Sequence, residues 1–287
     1  MKAQSLQCNL KGPCNAGCPF CIARTTWKTG MGDNQMMFNN LDRAFRFARY
    51  HQVDSVMITG TGEPTLLEDS VAMLVDDARR HGFPSIELQT NGSVLAAKPQ
   101  LLRDLTTIGL TCVAVSIASP DPLRNREIIG VDHDYLQLMR KASEMGLLCR
   151  VTINLVKGEL DPLQPQGLRD WAKVLKDHGV HQLTLRQLGV PEFNELPTDA
   201  AKRVRAWVLE NRIDDQGTVD IQVELEENGH LVRKTPFGAD IYDYLGLSTC
   251  VASCLTENPN QDEIRSMILQ PDGHIYSSWQ LPGSILI

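Results

Sequence analysis

The chain of 287 residues lacks any apolar run long enough to cross a bilayer, is poor in aromatic residues (6%), and has no excess of basic charge. Without eighteen or more consecutive apolar residues, a transmembrane helix is excluded. Lys and Arg number 28 against 35 Asp and Glu, a formal net charge of −7, so the electrostatic footprint of a nucleic-acid partner is missing and a role on tRNA or rRNA is disfavoured. The opening Met1-Lys2-Ala3-Gln4-Ser5-Leu6 has no apolar stretch of the secretory kind, which leads to the expectation of a cytoplasmic protein. Thiols stay reduced there, so eight cysteines are read as metal-binding or catalytic before they are read as disulfides. Low-complexity tracts and long internal repeats are also missing. With 42% hydrophobic residues the chain can bury a sizeable core.

What is present is a rhythm. Short β-branched or apolar runs, Ala3–Cys8, Val53–Thr59, Ser85–Thr90, Thr111–Ile117, Leu148–Leu155 and His181–Leu188, alternate with segments of helical spacing, Leu41–His51, Leu67–His81, Pro99–Ile108, Tyr135–Met145 and Gln166–His178. Several helical segments end at His-Gly or Met-Gly, a favourable helix exit. Such alternation implies a parallel sheet with right-handed crossovers. The expected fold is α/β, a partial TIM-type (β/α)6 barrel over residues 1–189. A C-terminal α+β appendage, residues 190–287, is expected to cover its mouth. Within the appendage the patterns predict a loop over 190–197, a helix from a Thr198 cap to about Asn211, and strands at Val219–Leu225, Ile264–Gln270 and His274–Trp279, the last two joined by Pro271-Asp272-Gly273.

In parallel α/β folds ligands sit beyond the C-terminal strand ends, so residues that follow strands carry the information. After the first strand comes Cys14-Asn15-Ala16-Gly17-Cys18-Pro19-Phe20-Cys21, a C-x3-C-x2-C loop. A four-iron cluster wants four ligands, and three thiolates leave one iron open to a bound amino acid. Gly17 and Pro19 let the chain wrap closely, and Phe20 offers an aromatic wall. Two other readings stand beside this one. A structural zinc with Cys8 as fourth thiolate would make a zinc-stabilised binding module, and an electron-transfer ferredoxin would normally carry four local cysteines without the large α/β body.

The loop, with its aromatic before the third cysteine, resembles the signature of the radical S-adenosylmethionine (SAM) superfamily, most like its MoaA and SPASM/Twitch-type subgroup, and the resemblance runs from about Ala3 to Leu188. Thr59-Gly60-Thr61-Gly62-Glu63-Pro64 resembles the family's Gly-Gly-Glu-Pro motif, with Thr61 where glycine is usual. It implies SAM contacts from Gly62 and Glu63, whose carboxylate suits an ammonium group. Gln89-Thr90-Asn91-Gly92 resembles the subgroup's Thr-Asn-Gly segment. Further cofactor contacts implied are Phe20, Thr90, Asn91, Ser116, Arg150, Asn154 and Leu188. The resemblance implies a 4Fe-4S cluster on Cys14, Cys18 and Cys21. It also implies reductive cleavage of SAM to methionine and a 5′-deoxyadenosyl radical, and an electron donor of the flavodoxin or ferredoxin type.

The C-terminus departs from the subgroup. Only Cys250 and Cys254 are available there for an auxiliary iron–sulfur cluster, and the hairpin Gln270–Trp279 carries serines where a cysteine is expected. One cluster per chain is the expectation. Cys112 and Cys149 lie in apolar strands and read as core residues. Basic residues follow strands on the presumed ligand face: Arg24 and Lys28, Arg124 and Arg126, Lys157, and Arg186. Together they point to a small anionic substrate, a metabolite or nucleotide. The alternative is a peptide-modifying maturase, against which the short lead before Cys14 speaks.

Overall fold

The computed structural model describes residues 2–25, 32–160, 165–190, 198–235, 239–253, 263–279, 281 and 283–287. Its strands are β1 (Lys2–Leu10), β2 (Ser55–Gly60), β3 (Ser85–Thr90), β4 (Cys112–Ile117), β5 (Leu148–Leu155), β6 (Gln182–Gln187), β7 (His230–Lys234), β8 (Asp240–Tyr244), β9 (Leu247–Ser253), β10 (Glu263–Leu269) and β11 (Ile275–Tyr276). The helices are α1 (Asn34–Asn39), α2 (Leu41–Tyr50), α3 (Glu68–Arg80), α4 (Ser93–Ala97), α5 (Pro99–Ile108), α6 (Pro122–Ile129), α7 (Tyr135–Glu144), α8 (Pro165–Asp177), α9 (Asp199–Asn211) and α10 (Asp215–Asn228).

Helix formation follows the apolar spacing. In α2, Leu41, Ala44, Phe45 and Ala48 are buried on one face, and in α3, Val71, Leu74, Val75 and Ala78 repeat the pattern. Glu68 and Asp69 in the first turn of α3, and Arg79 and Arg80 in its last, complement the helix dipole. Burying the Phe45 side chain alone contributes roughly 1.5–3 kcal/mol. Gly82 and Gly146 leave α3 and α7 at positive φ, 74° and 82°, where a side chain would be strained.

All strands form one sheet in the order β11-β10-β1-β2-β3-β4-β5-β6-β9-β8-β7. Neighbouring strands from β10 to β9 are parallel throughout, eight in a row, with antiparallel strands only at the two ends. The six strands read from the sequence are present as the parallel β/α core. The segment after residue 189 supplies β9 beside β6 and β10 beside β1, so it lengthens the sheet at both edges. Along each strand one set of side chains packs under the helices, as Leu6, Cys8, Val56, Ile58, Val113, Val151 and Leu183 do. The alternate set, Gln7, Asn9, Glu87, Gln89, Ser116, Arg150, Thr184 and Arg186 among them, lines the opposite face.

One expectation is overturned. Val219–Leu225 is part of helix α10, not a strand. Its apolar residues alternate, but Asp214 caps the helix by accepting from the Gly217 amide, and only Ile221 and Leu225 are buried while Val219 and Val223 are exposed. Spacing of four outweighs spacing of two. The last expected strand shrinks to Ile275–Tyr276, and the expected loop at 190–197 lies almost wholly outside the described residues.

Candidate functional site

The cysteine loop leaves β1 and is held at four points. The Gly12–Pro13 backbone packs against Gly62: a Cβ there would stand 2.2 Å from the Pro13 carbonyl oxygen and 2.4 Å from that of Gly12. The Glu63 amide donates to the Pro13 carbonyl at 2.9 Å and the Thr61 amide to Leu10 at 2.9 Å. Further along, Asn15 hydrogen-bonds Asn91 and Ser93. The Gly17 amide donates to the Ile129 carbonyl at 2.7 Å, at the end of α6. Finally the Phe20 ring lies 5.6 Å from the Trp207 ring of α9, and Ala16, Cys18 and Phe20 pack on a small core that includes Ile129, Val156, Leu188, Val204 and Val208.

Glu63 is the keystone of the strand ends. It is 3% exposed, and its Oε1 accepts from the Thr65 amide (3.1 Å), the Thr65 hydroxyl (2.6 Å) and the Thr90 hydroxyl (2.6 Å), while Oε2 accepts from the Asn91 amide (2.8 Å). A buried carboxylate demands such partners. Thr90 and Asn91 are thereby brought to Glu63. At Gly62, implied by the family resemblance as a SAM contact, the close approach in the structure is to the backbone of the cysteine loop. Thr65, Asn15, Ser93 and Trp207 were missed. The Asn-Gly-Ser run after Thr90 and the residue following Cys14 were the available signals.

Cys14 is exposed and Cys18 and Cys21 are half-buried. Burial raises the Cys14 thiol, and pushes Cys18 up to about 12, with the neighbouring thiols adding to both. Metal loading on such a group must displace protons and offset the repulsion between thiolates. Three soft donors on one anchored loop fit a 4Fe-4S cluster, in which each thiolate takes a separate iron. Among the described residues no three His, Cys, Asp or Glu side chains are grouped to hold a single metal ion. Cys8, the fourth thiolate of the zinc reading, is fully buried in the apolar core under the helices, and burial raises its thiol well above the usual range.

The remaining candidates scatter. Ser116 is half-buried at the end of β4. Arg150 reaches across β4 to Glu87, Nη1 to Oε2 2.7 Å, and its Nε donates to Gln182 at 2.8 Å. The Asn154 amide donates to the Ile117 carbonyl at 3.1 Å. Leu188 joins the small core behind the cysteine loop. Of the basic residues, Arg124 pairs with Glu159 and Glu127, each at 2.8 Å, and Arg126 with Asp132 at 2.9 Å, all of them surface contacts except for the buried end of Glu159. Arg24 and Lys157 are exposed. Arg186 is half-buried on the polar face of β6 and makes no ion pair among the described residues. The convergent basic patch expected from the sequence is not formed by Arg124 and Arg126. Cys250 stands on β9 opposite Thr184 of β6, while Lys28 and Cys254 lie outside the described residues.

No helix among the described residues is long and apolar enough to cross a membrane. A probable GTP 3′,8-cyclase of Methanothermobacter marburgensis is 30% identical over 155 residues, covering 53% of this chain and 48% of the cyclase. The molybdenum cofactor biosynthesis protein moc-5 of Caenorhabditis elegans is 29% identical over 153 residues, 53% of this chain and 24% of that protein. The chain therefore spans about half or less of the length of these relatives. In fold it is similar to Streptococcus suis SuiB bound to the precursor peptide SuiA, at a TM-score of 0.61 and 16% identity, with 96% of this chain and 60% of that one covered. The match of residues 12–162 to the model of the Radical SAM superfamily spans the cysteine loop, the Glu63 turn and the Thr90–Gly92 turn, and the chain belongs to that superfamily of SAM-dependent, iron–sulfur enzymes.

Proposed function

We propose that this chain reductively cleaves SAM on a cluster held by Cys14, Cys18 and Cys21 and uses the resulting radical on a small, anionic metabolite. The observation that carries the reading is the clamped cysteine loop: three thiols on one turn, fixed against the β2 and β3 ends through Glu63, Thr90 and Asn91. When bound, the cluster and SAM supply one-electron cleavage of the sulfonium to methionine and a 5′-deoxyadenosyl radical that abstracts hydrogen. The protein's own contribution is position. Phe20 packs against Trp207 on one side of the loop. Gly62 and Glu63 hold the turn at which SAM would sit, and Ser116 and Asn154 stand at the next strand ends. Arg186, half-buried and without an acidic partner among the described residues, is the cation best placed to receive an anionic group.

The reading extends to the whole chain as a cytoplasmic enzyme with a core of residues 1–189 and an appendage of 190–287. It includes a single 4Fe-4S cluster, a flavodoxin- or ferredoxin-type donor, and no nucleic-acid partner. Peptide modification is the competing reading within the class. The test is anaerobic reconstitution followed by strong reductant and SAM. Methionine and 5′-deoxyadenosine are expected from the wild type and from none of Cys14→Ala, Cys18→Ala or Cys21→Ala. Production at the wild-type rate by a triple-alanine variant would refute the proposal.

A further inference from the structure

Three side chains between the cysteine loop and the β3 end form a closed ring of hydrogen bonds. Asn15 Nδ2 donates to Ser93 Oγ at 2.9 Å, Ser93 Oγ donates to Asn91 Oδ1 at 2.7 Å, and Asn91 Nδ2 donates back to Asn15 Oδ1 at 2.9 Å. Its direction is fixed by the backbone: the Ser93 amide also donates to Asn91 Oδ1 at 3.0 Å, so that atom must be the carbonyl oxygen, and the orientation of Asn15 follows. Donors and acceptors that run head to tail polarise one another. On one side the ring is rooted in buried structure, because the Asn91 amide donates to Glu63 Oε2 at 2.8 Å. On the other it ends one residue from Cys14. The turn it holds places the Ala16 amide 3.4 Å from Cys14 Sγ, aimed to donate.

We propose that Asn15 and Ser93 are positioning residues that, through Asn91, hold the Ala16 N–H on the Cys14 sulfur and thereby set the reduction potential of the cluster. A hydrogen bond to a ligating sulfur favours the more negative, reduced cluster, so its loss lowers the potential. Asn15 touches neither SAM nor iron in this account. It acts through the geometry of the turn, and the proposal rests on the radical SAM reading of the loop.

The experiment is an anaerobic redox titration of the reconstituted full chain, wild type against Asn15→Ala, Ser93→Ala and Ser93→Thr, with iron content measured on each. Asn15→Ala and Ser93→Ala are expected to retain about four irons per chain and yet show about a tenfold fall in the reduced-to-oxidised ratio at a fixed solution potential, about 59 mV for a one-electron couple. Ser93→Thr keeps the hydroxyl and is expected to restore the wild-type potential, which a merely structural contact would not require. Should Asn15→Ala lose iron, the Ser93 pair decides by the same criterion, since both leave Asn15 in place. Unshifted potentials in the alanine variants, beside a wild type that binds the cluster and cleaves SAM, overturn the ring alone. A wild type that assembles no four-iron cluster overturns the ring and the radical SAM reading together.

Discussion

Strands β1–β6 and strands β7–β11 enter the same sheet by different rules. The first six arrive in chain order, each laid parallel beside its predecessor by an intervening helical crossover. The last five are distributed: β9, with its antiparallel companions β8 and β7, extends the β6 edge, and β10 with β11 extends the β1 edge, more than 250 residues away in sequence at the pairing of Lys2 with Glu263. Chemistry divides along the same line. The turns after β1, β2 and β3 hold the cysteine loop, Glu63 and the Asn91 ring, whereas the later strands add polar wall, such as Ser266, whose hydroxyl meets those of Ser5 and the amide of Gln7. Local succession builds the site, and distant pairing extends the sheet at its two edges.

The largest effect should come from the keystone of the first region. Glu63→Ala leaves the Thr65 and Asn91 amides and two threonine hydroxyls without their acceptor inside a buried turn. At roughly 1.5–3 kcal/mol for hydrogen bonds to a charged group, a loss of about 3 kcal/mol is expected after partial relaxation, together with loss of cluster binding. Urea denaturation and iron analysis check both. A wild-type urea midpoint in Glu63→Ala would show that the carboxylate does not hold the strand ends.

The second region is sharpened by α10. If Val219–Leu225 were a strand, Val219, Ile221, Val223 and Leu225 would share one face and cost alike on truncation. In the helix, Ile221 is fully buried and Val219 is 49% exposed. Ile221→Ala is therefore expected to cost roughly 2–5 kcal/mol and Val219→Ala within about 0.5 kcal/mol of nothing. Equal losses in urea denaturation would contradict the helix.

That segment also shows where sequence reading reaches its limit. The six core strands and their helices were legible because apolar period and glycine exits agree there with the tertiary outcome. The cysteine loop was legible because its spacing is chemical. Alternation over residues 219–225 misled because the two exposed valines face solvent, an arrangement that periodicity alone counts as a buried stripe. Strands β7, β8 and β9 were missed outright. His230–Lys234 is exposed at every residue, so it carries no apolar signal, and its place is set by pairing with β8. In the site, Gly62 is crowded by the Gly12–Pro13 backbone of the cysteine loop. Sequence indicates that a glycine is needed without saying which neighbour crowds it, and the pairing of Arg150 with Glu87 is not legible in it, because the two lie 63 positions apart on strands two places over.

A smaller effect tests how the C-terminal segment seats on the polar face. The Trp279 indole N–H donates to Gln7 Oε1 of β1 at 3.1 Å, across 272 residues of sequence. Trp279→Phe keeps the apolar ring and removes the donor, leaving Gln7 with its remaining bond to Ser266. A loss of about 1 kcal/mol is expected by urea denaturation, with the iron content unchanged. Iron that falls with stability would mean that the late strands support the cluster loop directly, and the contrast between the two regions would weaken.

The smallest expected effect on the fold separates two kinds of arginine. Arg126 and Asp132 are both well exposed, 59% and 67%, and solvent screens such a pair, so Arg126→Gln should leave the melting temperature and SAM cleavage unchanged. Arg186 has a different situation: it is half-buried on the face lined by Thr184 and Cys250, and no carboxylate among the described residues neutralises it. Arg186→Gln should likewise leave stability and uncoupled SAM cleavage nearly intact, because no ion pair is lost. It should nevertheless lower kcat/KM for an anionic substrate about tenfold, the loss of one charge-assisted contact of roughly 1.4 kcal/mol. The two variants are to be compared on the same candidate substrates. If Arg126→Gln reduces kcat/KM as much as Arg186→Gln, the anion is bound at the rim and the polar face is not its site. If neither changes kcat/KM, the substrate is neutral at this end and the peptide reading gains.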